Sequence, residues 1–474
     1  MKNVIIKTGV ILAITASVLL SACDDYLGTV PKGEKIPETF RDYNAFIAYG
    51  DNNLHDNVQQ MALLNDVFCT TSRLSSYELL RINYMWDEQA DRKIQDNNMM
   101  ISSGTAPYIY SYQGIAHWNL IIENANKLKE CTQQQRDQLK AQAKVLRAIH
   151  YFHLVNYYAK QYTKETAGSE LSVPLAESGD LQSPSPQVSI EKIYEFMTGD
   201  LTEETIAQLP AQGETFFHPT KGAGYGILAR IYLQMKDYDK ALANAEKALA
   251  INNTLYNWVA YYQTHRTSYE KLDYSTAYPA VTLTNPENYV YRLTSNNYKS
   301  GAADMPVERS KEFEPGDTRF LTRWQFKAME AGDRYQSVRS DYVNGAGIST
   351  VEMYHIKAEC LARKEKVNDA MDVLNAIRVT RILPEYYQPL SAATKAEAVR
   401  LIIKDKANEF IQTSIPFWDL RRLNTEAEYS RSLTKTVDGV IYTLKPDSHL
   451  WTFPFSEQIM TNPGNNPIQQ NTPR

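Results

Sequence analysis

The sequence predicts a mostly α-helical fold built from antiparallel helical pairs, with a large irregular insert and a small hairpin and coil region at the C-terminal end. Apolar residues recur at helical spacing over residues 134–160, 221–251 and 349–378. The last two stretches can be aligned with each other. Between them, residues 252–346 have weak periodicity and many aromatic side chains, which marks the insert.

Composition narrows the class of protein. The 474 residues are 43% hydrophobic and 22% charged, enough to bury a substantial core. A formal net charge of −5 argues against a nucleic-acid-binding protein, which normally carries a basic excess. Tyrosine is unusually frequent, at 32 residues. Amphipathic rings suit surfaces that stack on a ligand, although composition alone does not say which ligand.

The first 22 residues read as an export signal. Lys2 and Lys7 precede an apolar run over residues 10–20, which is shorter than the roughly 20 residues a membrane-spanning helix needs. The segment Leu20-Ser21-Ala22-Cys23 resembles the lipobox of bacterial lipoproteins, in which the cysteine is acylated and becomes the mature N-terminus. We therefore predict lipidation, as by palmitate, at Cys23. The alternative is an ordinary signal peptide with a coincidental cysteine.

The segment after the cleavage site, residues 23–40, reads as a tether that leads into the fold. Three further cysteines follow, Cys69, Cys131 and Cys360, and none lies in a Cys-x-x-Cys pair. The sequence therefore supports neither a zinc site nor a redox motif. We expect buried thiols, and one disulfide stays open.

The helical pairs have the spacing of tetratricopeptide repeats. The matched alanines Ala229 and Ala241 are 12 residues apart, and so are Ala358 and Ala370. Small residues allow two antiparallel helices to approach closely. The repeats are interrupted rather than tandem, so we divide the mature chain into an N-terminal helical core (41–251), the aromatic lobe (252–346) and a C-terminal unit (347–474). Residues 436–442 predict a hairpin with an Asp-Gly turn.

A lipobox, interrupted helical pairs and a series of ordered motifs together resemble the SusD/RagB family. Residues 141–155 are similar to its first signature helix, and residues 220–223 to the opening of its central repeat. Asn462-Pro463-Gly464 resembles its ending. One motif departs from the family pattern, because Thr413, Ser414 and Pro416 stand where Glu, Gly and Arg are usual. This departure indicates a divergent subgroup.

The resemblance implies a surface lipoprotein of the outer membrane that captures glycans. Family members act as lids on a SusC-like TonB-dependent β-barrel transporter and are not enzymes. We therefore expect an oligosaccharide ligand, the barrel as partner, no nucleic acid and no cofactor. The alternatives are a peptide-capturing member of the same family and, from another class, a surface glycoside hydrolase or a structural scaffold that binds the barrel alone.

Sugar binding needs flat aromatic faces and polar groups for the hydroxyls. One irregular segment holds several such residues, and the resemblance implies ligand contacts there. Its candidates are Arg73, Tyr77, Tyr84, Trp86 and Asp87. The aromatic lobe supplies the others, which are Trp258, Tyr289, Tyr298 and Trp324. For each ring, burial in the core is the alternative to ligand contact.

Two other patterns suggest chemistry only weakly. His150 and His153 are three residues apart on a predicted helix, but no carboxylate stands at a matching spacing, so no metal site is predicted. Acidic residues also recur over 308–317, a pattern that a solvated surface explains as well as the carboxylate pair of a glycosidase. We therefore predict no catalytic residues.

Overall fold

The computed structural model describes residues 39–48, 57–94, 106–180, 182–272, 284–292, 304–337, 344–437, 439–461 and 468–472. The predicted signal peptide, the lipidation site Cys23, the ligand candidate Tyr298 and the motif at 462–464 lie outside these ranges. Helices dominate the described chain and strands are few and short, which confirms the predicted fold class.

The helices follow one another along the whole described chain. In order they are α1 (Phe40–Ile47), α2 (Val58–Leu64), α3 (Thr71–Ser76), α4 (Glu78–Met85), α5 (Ala106–Asn124), α6 (Gln133–Tyr158), α7 (Ile190–Asp200), α8 (Glu203–Ala207), α9 (Lys221–Gln234), α10 (Tyr238–Ile251), α11 (Trp258–Glu270), α12 (Val307–Ser310), α13 (Thr318–Arg323), α14 (Thr350–Arg363), α15 (Val367–Arg378), α16 (Lys395–Glu409), α17 (Ile415–Asn424) and α18 (Glu457–Thr461).

The strands form small antiparallel sheets. They are β1 (Leu171–Pro174), β2 (Gln187–Ser189), β3 (Asn288–Val290), β4 (Met305–Pro306), β5 (Trp324–Lys327), β6 (Arg334–Ser337), β7 (Ile348–Ser349), β8 (Leu433–Val437) and β9 (Val440–Leu444). Strand β1 pairs with β2, β3 with β7, and β8 with β9, while β4, β6 and β5 lie in that order in a three-stranded sheet. The β8–β9 pair is the predicted hairpin.

The predicted helical pairs are α9 with α10 and α14 with α15. All four matched alanines, at positions 229, 241, 358 and 370, are fully buried, as close helix approach requires. Each pair turns at a residue in the left-handed conformation, Lys236 and Glu365, both with φ of 62°. The two pairs therefore repeat the same local geometry even though the chain between them is long.

The aromatic lobe leaves and rejoins the helical scaffold at neighbouring points. The hydroxyl of Thr350, the first residue of α14, donates to the carbonyl of Thr254, just after α10. The backbone N–H of Thr350 donates to the carbonyl of Glu287 at 2.8 Å. Strand β3 then pairs with β7, with Asn288 opposite Ser349. Consequently α10 packs directly against α14, and the scaffold is continuous across the insertion.

Buried ion pairs tie the C-terminal helices together. Glu359 on α14 accepts hydrogen bonds from both ends of the Arg422 guanidinium at 2.7 and 2.8 Å, and from Arg363 at 2.8 Å. Burial by itself raises the pKa of Glu359, but Arg422 and Arg363 outweigh it and lower that pKa to about 2. The carboxylate is therefore ionised and structural at neutral pH.

The described cysteines Cys69, Cys131 and Cys360 are free thiols. Cys69 and Cys360 are buried, as expected, whereas Cys131 is partly exposed. Across the described ranges, no helix is both long and apolar enough to cross a bilayer.

Candidate functional site

A surface pocket of about 360 Å³ lies between residues 68–77 and the aromatic lobe. This volume falls within the range of about 300–1,000 Å³ that is usual for ligand sites. We call it the Arg73–Arg334 pocket, and its lining is Phe68, Thr70, Ser72, Arg73, Ser76, Tyr77, Asp304 and Arg334. It therefore contains two of the predicted ligand residues, Arg73 and Tyr77.

Phe68 forms one wall of the pocket because its neighbours hold the loop that carries it. Val67 and Cys69 are buried on either side, so the half-exposed Phe68 points the other way. The backbone N–H of Phe68 donates to the carbonyl of Asp304 at 2.6 Å, which joins the loop to the lobe. Its ring lies so close to Gly332 that a Cβ there would stand 2.9 Å from the ring.

The short helix α3 presents hydroxyls and a guanidinium to the pocket. Thr70 caps this helix, since its side-chain oxygen accepts from the backbone N–H of Arg73 at 3.2 Å. Arg73 is thereby placed in the first turn, and Tyr77 follows at the C-cap. Both side chains are partly exposed, so α3 carries a polar rim that solvent can reach.

The opposite wall is a charge pair on the aromatic lobe. Arg334 Nε lies 2.8 Å from an Asp304 carboxylate oxygen, and the Arg334 guanidinium lies over the Phe68 ring at 5.2 Å from its centroid. Burial raises the pKa of Asp304, while Arg334 and Arg73 oppose that rise. Asp304 thus lies within the field of both guanidiniums. Aromatic faces, a carboxylate and guanidiniums are the groups that hold sugar rings and hydroxyls.

Tyr84 and Trp86 lie behind the pocket rather than in its lining. Their side chains are buried, and Trp86 Nε1 donates to the carbonyl of Leu63 at 3.0 Å. The ammonium of Lys435, from strand β8, lies over both rings, 3.9 Å from the Tyr84 centroid and 4.3 Å from the Trp86 centroid. Asp87 follows at the end of α4 and is half-buried. Of the five candidates in this segment, Arg73 and Tyr77 therefore line the pocket, whereas Tyr84 and Trp86 are buried.

The predicted lobe residues are dispersed. Trp258 begins α11 and packs edge-on against Tyr256, with ring centroids 5.1 Å apart. The Tyr289 ring covers Gly222 of α9, where a Cβ would stand 2.2 Å from it. Trp324 belongs to the small core of the lobe. Each of these three rings is about 5% exposed or less, and none lines the Arg73–Arg334 pocket.

Sequence reasoning missed Phe68, Asp304 and Arg334. Phe68 follows a buried apolar residue and has no distinguishing motif. Asp304 and Arg334 come together only because β4 pairs with β6, where Pro306 lies opposite Arg334. A weak signal was present in the Ala331-Gly332 step, which permits the tight turn before β6, but it did not identify the pocket.

A second cavity of about 590 Å³ lies beside helices α16 and α17. Many of its charged lining groups are already paired, such as Asp66 with Arg309 at 2.8 Å and Glu312 with Lys404 at 3.2 Å. Its aromatic lining residue, Tyr429, is only 8% exposed. A partly exposed aromatic ring, Phe68, therefore lines the smaller pocket, whereas the ring in this cavity is buried.

The acidic cluster at 308–317 does not form a facing pair. Glu308 pairs with Lys311, Glu312 with Lys404, Glu314 with Arg378, and Asp317 with Arg319. Each of these four carboxylates pairs with a different cation, although Arg319 also pairs with Asp405 and Glu409. A glycosidase instead needs two carboxyl groups across one cleft.

The two histidines of α6 are both buried. His153 packs edge-on against Trp418 at 4.9 Å, and burial lowers its pKa well below the usual value. Among the described residues, no group of three His, Cys, Asp or Glu side chains is arranged to hold a metal ion.

Residues 25–233 match the family model described as SusD-like, starch-binding and associating with the outer membrane. This stretch of the chain is therefore similar to the SusD-like family. The match confirms the predicted resemblance to SusD/RagB proteins. It includes α3 and the pocket residues Phe68, Arg73 and Tyr77, whereas Asp304 and Arg334 lie beyond it. No curated protein matches the sequence.

Solved structures extend the likeness in fold to most of this chain. A SusD superfamily protein from Bacteroides thetaiotaomicron is 17% identical with a TM-score of 0.67, over 92% of this chain and 100% of that one. Another from Bacteroides vulgatus is 15% identical with a TM-score of 0.69, over 92% and 99%. The surface glycan-binding protein A of Bacteroides uniformis is 14% identical with a TM-score of 0.64, over 91% and 98%.

Proposed function

We propose that this SusD-like chain is a non-catalytic, lipid-anchored surface protein that captures an extracellular oligosaccharide and passes it to a SusC-like TonB-dependent transporter. The observation that carries the proposal is the Arg73–Arg334 pocket. It combines an aromatic wall at Phe68, hydroxyl groups on α3 and a carboxylate flanked by guanidiniums. The family description, with its starch binding and outer-membrane association, supports the same reading.

The chemistry of the pocket suits a sugar ring. Phe68 offers a face for the apolar C–H side of a pyranose, and Tyr77 adds a phenol at the rim. Arg73 and Arg334 donate hydrogen bonds to ring and hydroxyl oxygens, while Asp304 accepts from hydroxyl groups. The pocket is shallow and open, so affinity comes from a few stacked and hydrogen-bonded contacts, and we expect weak binding of single sugars.

Sequence features support the anchoring part of the proposal. The lipobox-like segment ending at Cys23 supplies the membrane attachment, and the tether to residue 40 supplies reach. A binding protein that does not cleave its ligand needs a partner to take the ligand up, and the transporter barrel would serve as that partner. The separate pairing of the carboxylates at 308–317 supports a non-catalytic role.

Calorimetric titration of the mature protein, prepared without the lipidated Cys23, tests the proposal. The panel comprises oligosaccharides and peptides, and each sample is also assayed for cleavage products. We expect saccharide binding without products, and Phe68→Ala should weaken it at least about tenfold by removing the stacking face. Phe216→Ala is the matched control, because Phe216 is 44% exposed and lies outside the pocket lining.

Each other outcome selects a different function. Released product would indicate a surface glycoside hydrolase instead of a binding protein. Heat with peptides alone would favour a peptide-capturing member of the family. Saccharide binding that Phe68→Ala leaves unchanged would move the site away from the Arg73–Arg334 pocket.

A further inference from the structure

We propose that the Arg73–Arg334 pocket recognises an acidic group on the captured glycan, either a carboxylate or a sulfate ester. The inference rests on the proposed function, which it narrows from glycans in general to acidic glycans. Three observations carry it: the charges that line the pocket, the arrangement of cations on the adjoining hairpin, and the apolar packing that holds one guanidinium in place.

The described lining of the pocket is positively charged. It contains the guanidiniums of Arg73 and Arg334 against the single carboxylate of Asp304. Asp304 is the salt-bridge partner of Arg334 and also feels the charge of Arg73. One carboxylate shared between two guanidiniums leaves a net positive charge. This local excess stands out in a chain whose overall charge is −5.

The β5–β6 hairpin adds another cation on the same face. Lys327 of β5 lies directly opposite Arg334 of β6 in the antiparallel register. Directly opposed residues project to the same side of the sheet, and like charges at such positions repel each other. An anion bound at this face would relieve that repulsion. The turn of the hairpin also carries Glu330 and Asp333, but both are exposed to water and neither lines the pocket.

Arg334 is held in a geometry that suits anion recognition. Its Nε is bonded to Asp304, its Nη1 donates to the carbonyl of Gly332 at 3.1 Å, and its plane lies over Phe68. Its side chain is only 13% exposed, so its charge is poorly screened by water. A guanidinium fixed in this way loses little side-chain entropy on binding a carboxylate or sulfate, which it recognises with strong charge-assisted hydrogen bonds.

Lys435 lies behind the pocket, but burial lowers its pKa to about 7, so it is only partly charged at neutral pH. Cys69, between the lining residues Phe68 and Thr70, is close enough to both Arg73 and Lys435 for their charges to act on its thiol pKa. Burial nevertheless dominates and raises the pKa of Cys69 to about 11, so the thiol contributes no negative charge at neutral pH. Of the groups that face the pocket or lie behind it in the described chain, Asp304 supplies the negative charge.

The test uses ligand pairs that differ in charge and little else. Glucuronate is compared with glucose, and oligogalacturonides with their methyl esters, for the carboxylate; sulfated galactan oligosaccharides are compared with their desulfated forms for the sulfate. We expect the acidic member of at least one pair to bind the mature protein at least about tenfold more tightly in 20 mM salt. The difference should shrink in 500 mM salt because the charges are screened.

Variants separate electrostatic recognition from general polarity. Arg73→Gln should reduce acidic-ligand affinity about tenfold, whereas Lys192→Gln, which removes an exposed charge on α7, should leave it unchanged. Asp304→Asn gives the sharpest result. If Asp304 serves as an acceptor for a neutral sugar, this change weakens binding; if the pocket takes an anion, it strengthens binding several-fold by removing a repulsive charge. Arg334→Lys keeps the charge but loses the guanidinium contacts to Asp304 and Gly332, so acidic-ligand binding should weaken while the preference for the acidic ligand remains.

Failure of this inference is distinguishable from failure of the proposed function. Neutral glycans that bind without salt dependence and lose affinity in Phe68→Ala would overturn the acidic-group inference and leave glycan capture standing. Equal binding within every ligand pair would do the same. Absence of binding to all neutral and acidic glycans by folded protein would overturn both, and so would preference for an acidic peptide over every glycan.

Discussion

The ammonium of Lys435 lies over the indole of Trp86, 4.3 Å from the ring centroid, although the two residues belong to opposite ends of the chain. Lys435 also donates to the backbone carbonyl of Tyr84. Its side chain thus fastens the β8–β9 hairpin to the segment that carries the pocket helix α3. Burial lowers the pKa of Lys435 to about 7, with Cys69 opposing the shift.

This buried lysine predicts an unusual alkaline stabilisation. The folded-state pKa of about 7 lies below the ordinary lysine value of 10.5, so unfolding takes up a proton between those values. The free energy of unfolding should therefore rise from pH 7 to pH 9, by up to about 2 kcal/mol. Urea denaturation measures this, with Lys435→Met as the reference that keeps the other titrating groups. Identical pH profiles for the two proteins would contradict the assignment.

We expect substitution of Trp86 to lower the stability of the fold, and substitution of Phe68 to weaken ligand binding. Trp86→Ala removes a buried ring, its hydrogen bond to Leu63 and a face for Lys435, so we expect a loss of about 3–5 kcal/mol in unfolding free energy. Phe68→Ala removes a half-exposed ring and should change stability much less while weakening glycan binding. Thermal denaturation and titration of both variants check this contrast. Normal stability with lost binding in Trp86→Ala would return Trp86 to the ligand site.

Glu359 predicts a specific acid sensitivity. Its folded-state pKa of about 2 lies below the ordinary 4.5, so it stabilises the fold above about pH 4.5 and this contribution disappears as the pH falls towards 2. Glu359→Gln removes the carboxylate that Arg422 and Arg363 share and leaves Arg422 with Asp419 alone, so it should lower the unfolding free energy by about 3–5 kcal/mol at pH 7. Denaturation of the wild type and the variant should show a smaller difference in unfolding free energy at pH 3 than at pH 7. A gap of constant size would refute the linkage.

The close approach of α9 and α10 predicts intolerance of larger side chains. Ala229→Leu overfills a fully buried position and should destabilise the protein by about 1–3 kcal/mol. Ala243→Leu is the matched control, since Ala243 is exposed on α10 of the same pair. Circular dichroism melts of the two variants give the comparison. Equal melting temperatures would mean that the alanine spacing has no packing role.

The helical scaffold was predictable because its signals are local. Helical spacing and paired alanines such as Ala229 and Ala241 follow from contacts between chain neighbours and adjacent helices. Of the eight residues that line the pocket, two were predicted from the sequence. Arg73 and Tyr77 stood out in a polar, aromatic segment, but Trp86 shared that segment and proved buried. The burial of Trp86 depends on the β8–β9 hairpin, which lies far along the chain. Lys435 of this hairpin donates to the Tyr84 carbonyl, 351 residues away in the sequence.

Arg334 and Asp304 were not predictable for a related reason. They meet through the pairing of β4 with β6, two short strands inside a lobe with weak sequence periodicity. Register in such short strands depends on their surroundings more than on their own pattern. The chemistry of the site is therefore encoded in tertiary contacts, whereas the framework that carries it is encoded locally.

The junction at Thr350 has an evolutionary consequence. Because the lobe departs near Thr254 and returns beside it, α10 and α14 pack against each other across the insertion. Two of the eight residues that line the pocket, Asp304 and Arg334, belong to this lobe. Substitutions at these two positions would change the charge of the pocket without touching the α10–α14 packing, so the two properties can evolve separately.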